Sequence, residues 1–398
     1  MRRLLIAGAV AAIAATAVLA GGALRSGDQA SAGPSNRQLV RAGLREQGAA
    51  RRTGEPEHYT RSEQALERAI RQDPNDVHAL IGLASLANTR HHFREGLNLA
   101  RRAHHLSHET ALVHGVMGDA LVELGRYEAG FRAYERMVAL KPSIAGYARI
   151  AQAQSLVGDT AGAARTLGLA LDAAVDARTR AWAYVELGRL DRSRVRLTAA
   201  ARRFRQALAV SPDNPLALEA LAETEAARGY LPRAISLQRR AVGGRFSPEF
   251  AASLGDLYAV AGDRPAAWRA YALARSQQQR LAENGVDTDL DTAMFNLEHG
   301  IDLRGSLALA RRAYERRPGV EANEVLSWAL VRNRRCKEAI PYSNRALRFP
   351  DGHRYFHRAM IERCLGRDSA AQRLFRKALE TDPHFSPLWA RFARAELR

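Results

Sequence analysis

Aromatic residues make up only 7% of this 398-residue chain, and Lys occurs only at Lys141, Lys337 and Lys377. The apolar residues are mostly Ala and Leu, so the Val, Ile, Thr and Tyr that cover a pleated sheet are in short supply, which argues against a sheet-based core. Ala loses no side-chain entropy in a helix, and an Ala–Leu core suits helices packed close together. The expectation is all-helical. Cysteine is also nearly absent, with two residues, Cys336 and Cys364, and none follows the apolar N-terminal run, which removes a lipid-modified Cys there. A phosphate-binding glycine loop, a nucleophile elbow and a stretch long enough to hide a separate catalytic domain are all missing. The chain is expected to be no enzyme, with no catalytic residue, no cofactor and no metal.

Positive charge is abundant: the formal net charge is +18, almost all of it from Arg. It would attract acidic partners electrostatically. Arg2 and Arg3 precede an uncharged apolar stretch from Leu4 to Ala20, with small residues offering cleavage after Ala20 or after Ala32. Residues 1–24 are thus either a signal peptide or, since the stretch can be drawn to Leu24, an N-terminal membrane anchor. Residues 25–38 read as a linker. No later segment is long and apolar enough to span a bilayer, so the remainder is expected outside the cytoplasmic membrane, secreted or in the cell envelope.

The rest of the chain repeats. Pro74, Pro142, Pro212, Pro248, Pro318, Pro350 and Pro383 fall one or two multiples of about 34 residues apart. A column of mostly small residues, from Ala69 and Ala103 through Ala207 and Ala241 to Ala346 and Ala378, keeps the same beat. It implies helices crossing too closely for a large side chain. Gly125, Gly158, Gly229, Gly262 and Gly366 fall where one helix must turn into the next. In the clearest unit, Ala111 to Ile144, Met117, Gly118 and Leu121 precede the Gly125 turn. Tyr127, Phe131, Tyr134 and Met137 follow it at helical spacing, before a stop at Lys141-Pro142.

These units resemble the tetratricopeptide repeat, paired antiparallel helices of about 34 residues. The resemblance spans roughly residues 39 to 385 and implies an all-α, right-handed α-solenoid of about nine to ten helix-turn-helix repeats. Ser386–Arg398 would form a C-terminal capping helix. Beyond Ala274 the second helix runs on through Gln-rich Ser276–Leu281 to Asn284-Gly285, where a change of twist is expected. That divides the array into 39–284 and 285–385, with 386–398 as the cap. In this family the first helices line a concave groove that binds an extended peptide or a partner's helix. By resemblance the groove candidates here are Trp182, Arg189, Arg192, Glu219, Glu223, Asp256, Trp328 and Arg332, with His78, Asn88, Asp119, Glu123 and Gln152 on the same helices. Trp182 and Trp328 either anchor a partner or pack within the repeats. The family's clamp for chaperone C-terminal carboxylates needs Lys on a first helix, and none falls there.

Other patterns carry less. Arg101-Arg102, Arg136, Arg205, Arg239-Arg240, Arg311-Arg312, Arg345 and Arg376-Lys377 form a basic ladder near the ends of second helices. It is either an electrostatic seat on anionic lipid or wall polymer or a response to the helix macrodipole. Nucleic acid would suit the charge, but no recognition motif is present and export places the chain away from it. His104 and His108 share a helix face but lack acidic or Cys co-ligands apart from Glu109. His353 and His357 have zinc-protease spacing with Arg354 in place of the catalytic Glu. Asp287, Asp289, Asp291 and Glu298 imitate a calcium loop with Thr292 where Gly is required, and read better as carboxylates favouring a helix N-terminus.

Cys336 should start the second helix of its unit and Cys364 should end the first helix of the next. Antiparallel neighbours bring those two ends together, so in an oxidising compartment a disulfide is expected; the alternative is two separate buried thiols. The functional expectation is an exported scaffold that binds a protein or peptide in its groove. The alternative is a structural envelope protein seated by charge on an anionic membrane or wall polymer.

Overall fold

The computed structural model describes residues 33–398; the expected signal or anchor at 1–24 and most of the linker lie outside the described residues. Among the described residues there are twenty-one helices and no strand. They pair as ten hairpins. In order these are α1 (Asn36–Thr53) with α2 (Glu57–Gln72), α3 (Val77–Thr89) with α4 (Phe93–Leu106), and α5 (Ala111–Glu123) with α6 (Tyr127–Leu140). Then come α7 (Ile144–Leu156) with α8 (Thr160–Asp172), α9 (Ala177–Ser193) with α10 (Leu197–Val210), and α11 (Pro215–Ala227) with α12 (Leu231–Gly244). The series continues with α13 (Pro248–Ala261) and α14 (Arg264–Glu283), α15 (Asp289–His299) and α16 (Leu303–Arg316), and α17 (Val320–Arg332) and α18 (Cys336–Ala346). Finally α19 (Gly352–Cys364) pairs with α20 (Asp368–Thr381), and α21 (Trp389–Ala395) caps the end. The architecture is an all-α solenoid.

The small-residue column lies where the helices cross. Ala69, Ala103, Ala170, Ala207, Ala241, Ala274, Ala313 and Ala378 are completely buried. A second device recurs sixteen residues apart: a glycine on the first helix meets an aromatic ring on the second. A Cβ on Gly118 would lie 2.5 Å from Tyr134, on Gly188 2.5 Å from Phe204, and on Gly255 2.3 Å from Tyr271. First helices are inside and second helices outside. α3 buries nine of its thirteen residues, whereas α4 buries five of fourteen. The basic ladder on the second helices is therefore exposed, with Arg205, Arg240 and Arg312 paired to Glu225, Asp213 and Asp289.

Each hairpin turn passes through a left-handed residue, and the α15–α16 turn through two, Gly300 and Asp302. Gly125 takes this role with φ +76, a conformation without cost for glycine. His91, Val195, Asp302 and Arg334 adopt it without glycine, which is strained, above all for a β-branched side chain. At His91 the reason is tertiary. Its Nδ1 lies 2.9 Å from the Asp287 carbonyl oxygen, and the Asp287 N–H donates to the Arg90 carbonyl oxygen at 2.9 Å.

That contact belongs to a seam along which one coil of the solenoid rests on the next. The Phe246 N–H donates to the Thr53 carbonyl oxygen at 2.9 Å, and Arg245 donates to the Arg51 carbonyl oxygen. The Val320 N–H donates to the Tyr127 hydroxyl at 2.7 Å, while Tyr127 meets Phe349 edge-on. Arg348 pairs with Glu128. These partners stand 194, 196 and 193 residues apart for Arg51, His91 and Tyr127. The contacts stay in register because one coil takes just under six units of about 34 residues. Turns inside units 1 to 3 dock onto the junctions between later units.

α14 explains the long spacing near residue 280. It runs twenty residues, and its extra turns carry Arg280 to Glu55 and Glu57, each at 2.7 Å. Apolar packing continues across this point: Phe295 packs with Ala251, Ala252, Ala274 and Tyr271. No helix among the described residues is long and apolar enough to cross a membrane.

Cys336 opens α18 and Cys364 closes α19, and the two are joined as a disulfide with Cα atoms 6.1 Å apart. Closing a loop of 28 residues stabilises by about 3–4 kcal/mol on the chain-entropy model. Reduction is expected to lower the denaturation midpoint accordingly, and mapping of unreduced protein should find no free thiol at either position. The seam has its own test. Gly54 has φ +79, and a Cβ there would come 2.0 Å from the Phe246 carbonyl oxygen, whereas Gly229 has φ +90 and open space. Gly229→Ala should cost about 1–2 kcal/mol from the backbone alone. Gly54→Ala should cost a further ~1–3 kcal/mol from the clash and enlarge the radius of gyration measured by X-ray scattering. Equal penalties would show that the seam contributes nothing.

Candidate functional site

Because the coils touch, the concave face of the solenoid becomes a channel of about 440 Å³. One wall comes from the first helices α5, α7, α9 and α11, through Glu123, Gln152, Trp182, Arg189, Arg192 and Glu223. The facing wall comes from the next coil, through Leu290, Met294, Arg317, Gly319, Glu324 and Arg354. The volume is in the range of ordinary ligand sites.

The α9–α11 wall is a charged network. Arg189 lies 2.9 Å from Glu186 and 3.7 Å from Glu219, and Arg192 pairs with Glu223. Burial opposes the charge on Arg189, but Glu186, Glu219 and Glu223 outweigh it and hold the guanidinium above its ordinary value. Burial first, then repulsion from Glu223, pushes the Glu219 carboxyl up to about 8 against the pull of Arg189 and Arg192. On the α5 side, burial raises Glu123 to about 6, with Asp119 and Asp291 adding to the effect and Arg317 opposing it. Arg317 is 4% exposed and stands 5.6 Å above the Phe93 ring, with Nε and Nη2 buried and without a protein partner. Five further buried side-chain atoms of channel-lining residues lack a hydrogen-bond partner in the protein: Gln152 Oε1, Trp182 Nε1, Arg189 Nη2, Arg192 Nε and Arg354 Nη2. Buried polar groups are nearly always bonded, so a row of such atoms on one cavity requires an explanation.

Of the groove candidates, Trp182, Arg189, Arg192, Glu219 and Glu223 line the channel together. Trp182 does so while its ring packs against Ala151, Ala163 and Leu167. The other three lie elsewhere. Trp328 is fully buried, stacked 4.6 Å from His357 and edge-on to Trp389. Arg332 sits over both Trp rings and donates to the Leu297 carbonyl oxygen at 2.7 Å. Asp256 is 1% exposed, accepting from the Tyr271 hydroxyl at 2.9 Å and lying 2.8 Å from His299 Nε2. These three hold first helices in place. Sequence reading missed Arg317, Arg354 and Gly319, which reach the channel only through the coil-on-coil seam. The Arg317-Pro318-Gly319 run signalled a loop and nothing more.

The His pairs serve packing. His108 Nδ1 lies against the His104 carbonyl oxygen, and the rings of His104 and His114 meet edge-on. His357 is wedged 3.5 Å from Glu298 and 3.4 Å from Glu324; burial opposes its charge, but those carboxylates outweigh it and raise the imidazole to about 9. Two of the calcium-like carboxylates pair with Arg, Asp287 and Asp289 meeting Arg316 and Asp289 also Arg312, while Asp291 lies by His91 and Glu298 by His357.

Solved structures share this architecture. A thermophilic tetratricopeptide-repeat protein from Thermus thermophilus aligns over 49% of this chain and 99% of its own, at 19% identity and TM-score 0.42. The human IFIT1 dimer with PPP-AAAA aligns over 79% of this chain and 73% of its own, at 16% identity and TM-score 0.51. The fold is an all-α solenoid of stacked helical hairpins, similar to that of the IFIT1 structure. No protein-family model matches the sequence, and no curated protein matches it.

Two titrations make the network testable. The folded chain keeps a proton on Glu219 that the unfolded chain releases from 4.5 upward, so stability falls as pH rises from 4.5 to about 8. The ion pairs of His357 stabilise fully below 6.5 and are lost as pH rises through about 9. Both act in one direction. Melting temperature should therefore fall between 6.5 and about 9. Glu219→Gln should flatten the part below about 8, and His357→Gln should lower the acid-side plateau and flatten the rest.

Proposed function

We propose that this chain is a non-catalytic scaffold that holds an extended segment of a partner protein in its channel, outside the cytoplasmic membrane. The observation that carries the reading is the set of buried, unpartnered polar atoms along the channel. An extended peptide offers an N–H and a C=O at every residue. Its carbonyl oxygens suit Trp182 Nε1 and the N–H groups of Arg317 and Arg354, and its N–H groups suit Gln152 Oε1. Trp182 supplies the flat apolar surface that dominates binding energy at interfaces. The extracytoplasmic placement rests on the charged, apolar and small-residue pattern of residues 1–32 and accords with the disulfide.

The likeness to IFIT1 raises an RNA-like ligand, since that protein was solved with PPP-AAAA. Carboxylates outnumber guanidiniums along this channel, and they would repel a polyanion, so the reading assigns no nucleic acid. A second reading, an envelope protein seated on anionic lipid or wall polymer, is favoured by the exposed ladder that includes Arg101, Arg102, Arg136, Arg239, Arg376 and Lys377.

Crosslinking capture from envelope fractions tests both. Trp182→Ala should weaken partner capture by ten-fold or more, on the order of a hot-spot loss. Trp328→Ala should instead lower thermal stability. Capture that persists at high salt and depends on Trp182 supports the channel. Capture abolished by salt and indifferent to Trp182 supports the outer seat.

A further inference from the structure

The charge inside the channel runs opposite to the charge of the chain. The protein as a whole carries +18. Along the channel wall, carboxyl groups outnumber guanidiniums eight to four, one of them, Glu219, being held protonated by its burial, and no Lys is present. Most of those guanidiniums are already engaged. Arg189 meets Glu186 and Glu219, Arg192 meets Glu223, and Arg354 meets Glu324 at 2.7 Å. The channel is therefore an acidic interior within a basic shell.

Resting on the channel reading above, we infer that the occupant is a cationic segment: an extended stretch of a partner protein whose Arg or Lys side chains reach the carboxylates of α5, α9 and α11, while its backbone carbonyls meet Trp182 and Arg317.

Three observations converge on it. Charge complementarity selects a cation, because attraction in a low-dielectric cleft is several-fold stronger than in bulk water. Glu123 and Glu219 have raised pKa values, which marks carboxyl groups whose ionisation the fold alone does not support. Burial is the main cause, and an added cation would offset it. Arg317, 4% exposed with two unpartnered nitrogens, then needs an acceptor that brings no further negative charge. A peptide carbonyl is such an acceptor; a phosphate would meet the excess carboxylates. The geometry thus calls for one ligand with positive side chains and neutral acceptors, which a basic peptide combines.

The outer ladder gives a built-in contrast. Acidic molecules should collect on the outside of the protein, and basic segments in the channel.

The test uses the full chain and three labelled Ala/Gly peptides bearing Arg, Gln or Glu, followed by fluorescence anisotropy. The Arg peptide is expected to bind at least ~10-fold tighter than the Gln peptide, a difference of about 1.4 kcal/mol. The combined substitution Glu123→Gln, Glu219→Gln and Glu223→Gln should erase that preference. Any binding of the Glu peptide should ignore this variant. If Arg and Gln peptides bind equally and both are lost in Trp182→Ala, the channel holds peptides but the cationic assignment fails. If the preference for Arg survives the triple variant, the cation sits elsewhere and the inference is overturned. If no peptide binds, it falls together with the channel reading. Should the triple variant lose its helical signal, carbodiimide coupling of a Lys-bearing peptide to the unaltered protein decides the matter. Coupling at Glu123, Glu186, Glu219 or Glu223 supports the inference, and coupling confined to carboxylates outside the channel overturns it.

Discussion

The seam between successive coils is the constraint on which the rest of the molecule depends. A free solenoid presents an open concave face, and each unit touches only its neighbours. Here the turn of the first unit accepts from Phe246, the turn of the second is bonded to Asp287, and Tyr127 of the third accepts from Val320. The concave face becomes a channel with two walls from separate parts of the chain. The strained left-handed His91 and the lengthened α14 are consequences of this docking. One aims a ring at the opposite loop, and the other carries Arg280 to the acidic pair Glu55 and Glu57.

Closure also explains why the channel's charged groups are so strongly perturbed. Burying charge is costly unless it is paired, and the α9–α11 network is only partly balanced, with Arg189 and Arg192 facing Glu186, Glu219 and Glu223. In an open groove water would screen these groups. Enclosed by the second coil, they carry raised pKa values and unpartnered donors.

The repeating part of this design was legible in the sequence. The Ala column marked the helix crossings because close packing leaves no room there for larger side chains. The glycines marked the turns, and the Cys pair fell at the two helix ends that antiparallel packing brings together. Half of the channel was legible too, since Trp182, Arg189, Arg192, Glu219 and Glu223 sit on the inner face of consecutive first helices. The other half was not. Arg317, Gly319 and Arg354 enter from the next coil, just under six units along the chain, and no local pattern encodes a contact at that distance. Trp328, Arg332 and Asp256 show the opposite failure. They occupy the same helix face as the channel residues, but local partners such as His357, Trp389 and His299 enclose them.

Linear arrays are weakest at their ends, where a terminal module has a single neighbour and unravelling can start. In this protein neither end is loose. The first module is fastened to the middle of the chain through Arg245, Phe246 and Arg280. The last is stitched to its predecessor by a covalent bond and covered by a short final helix. Fraying, the usual route by which such a rod comes apart, has no unguarded starting point at either terminus of the array.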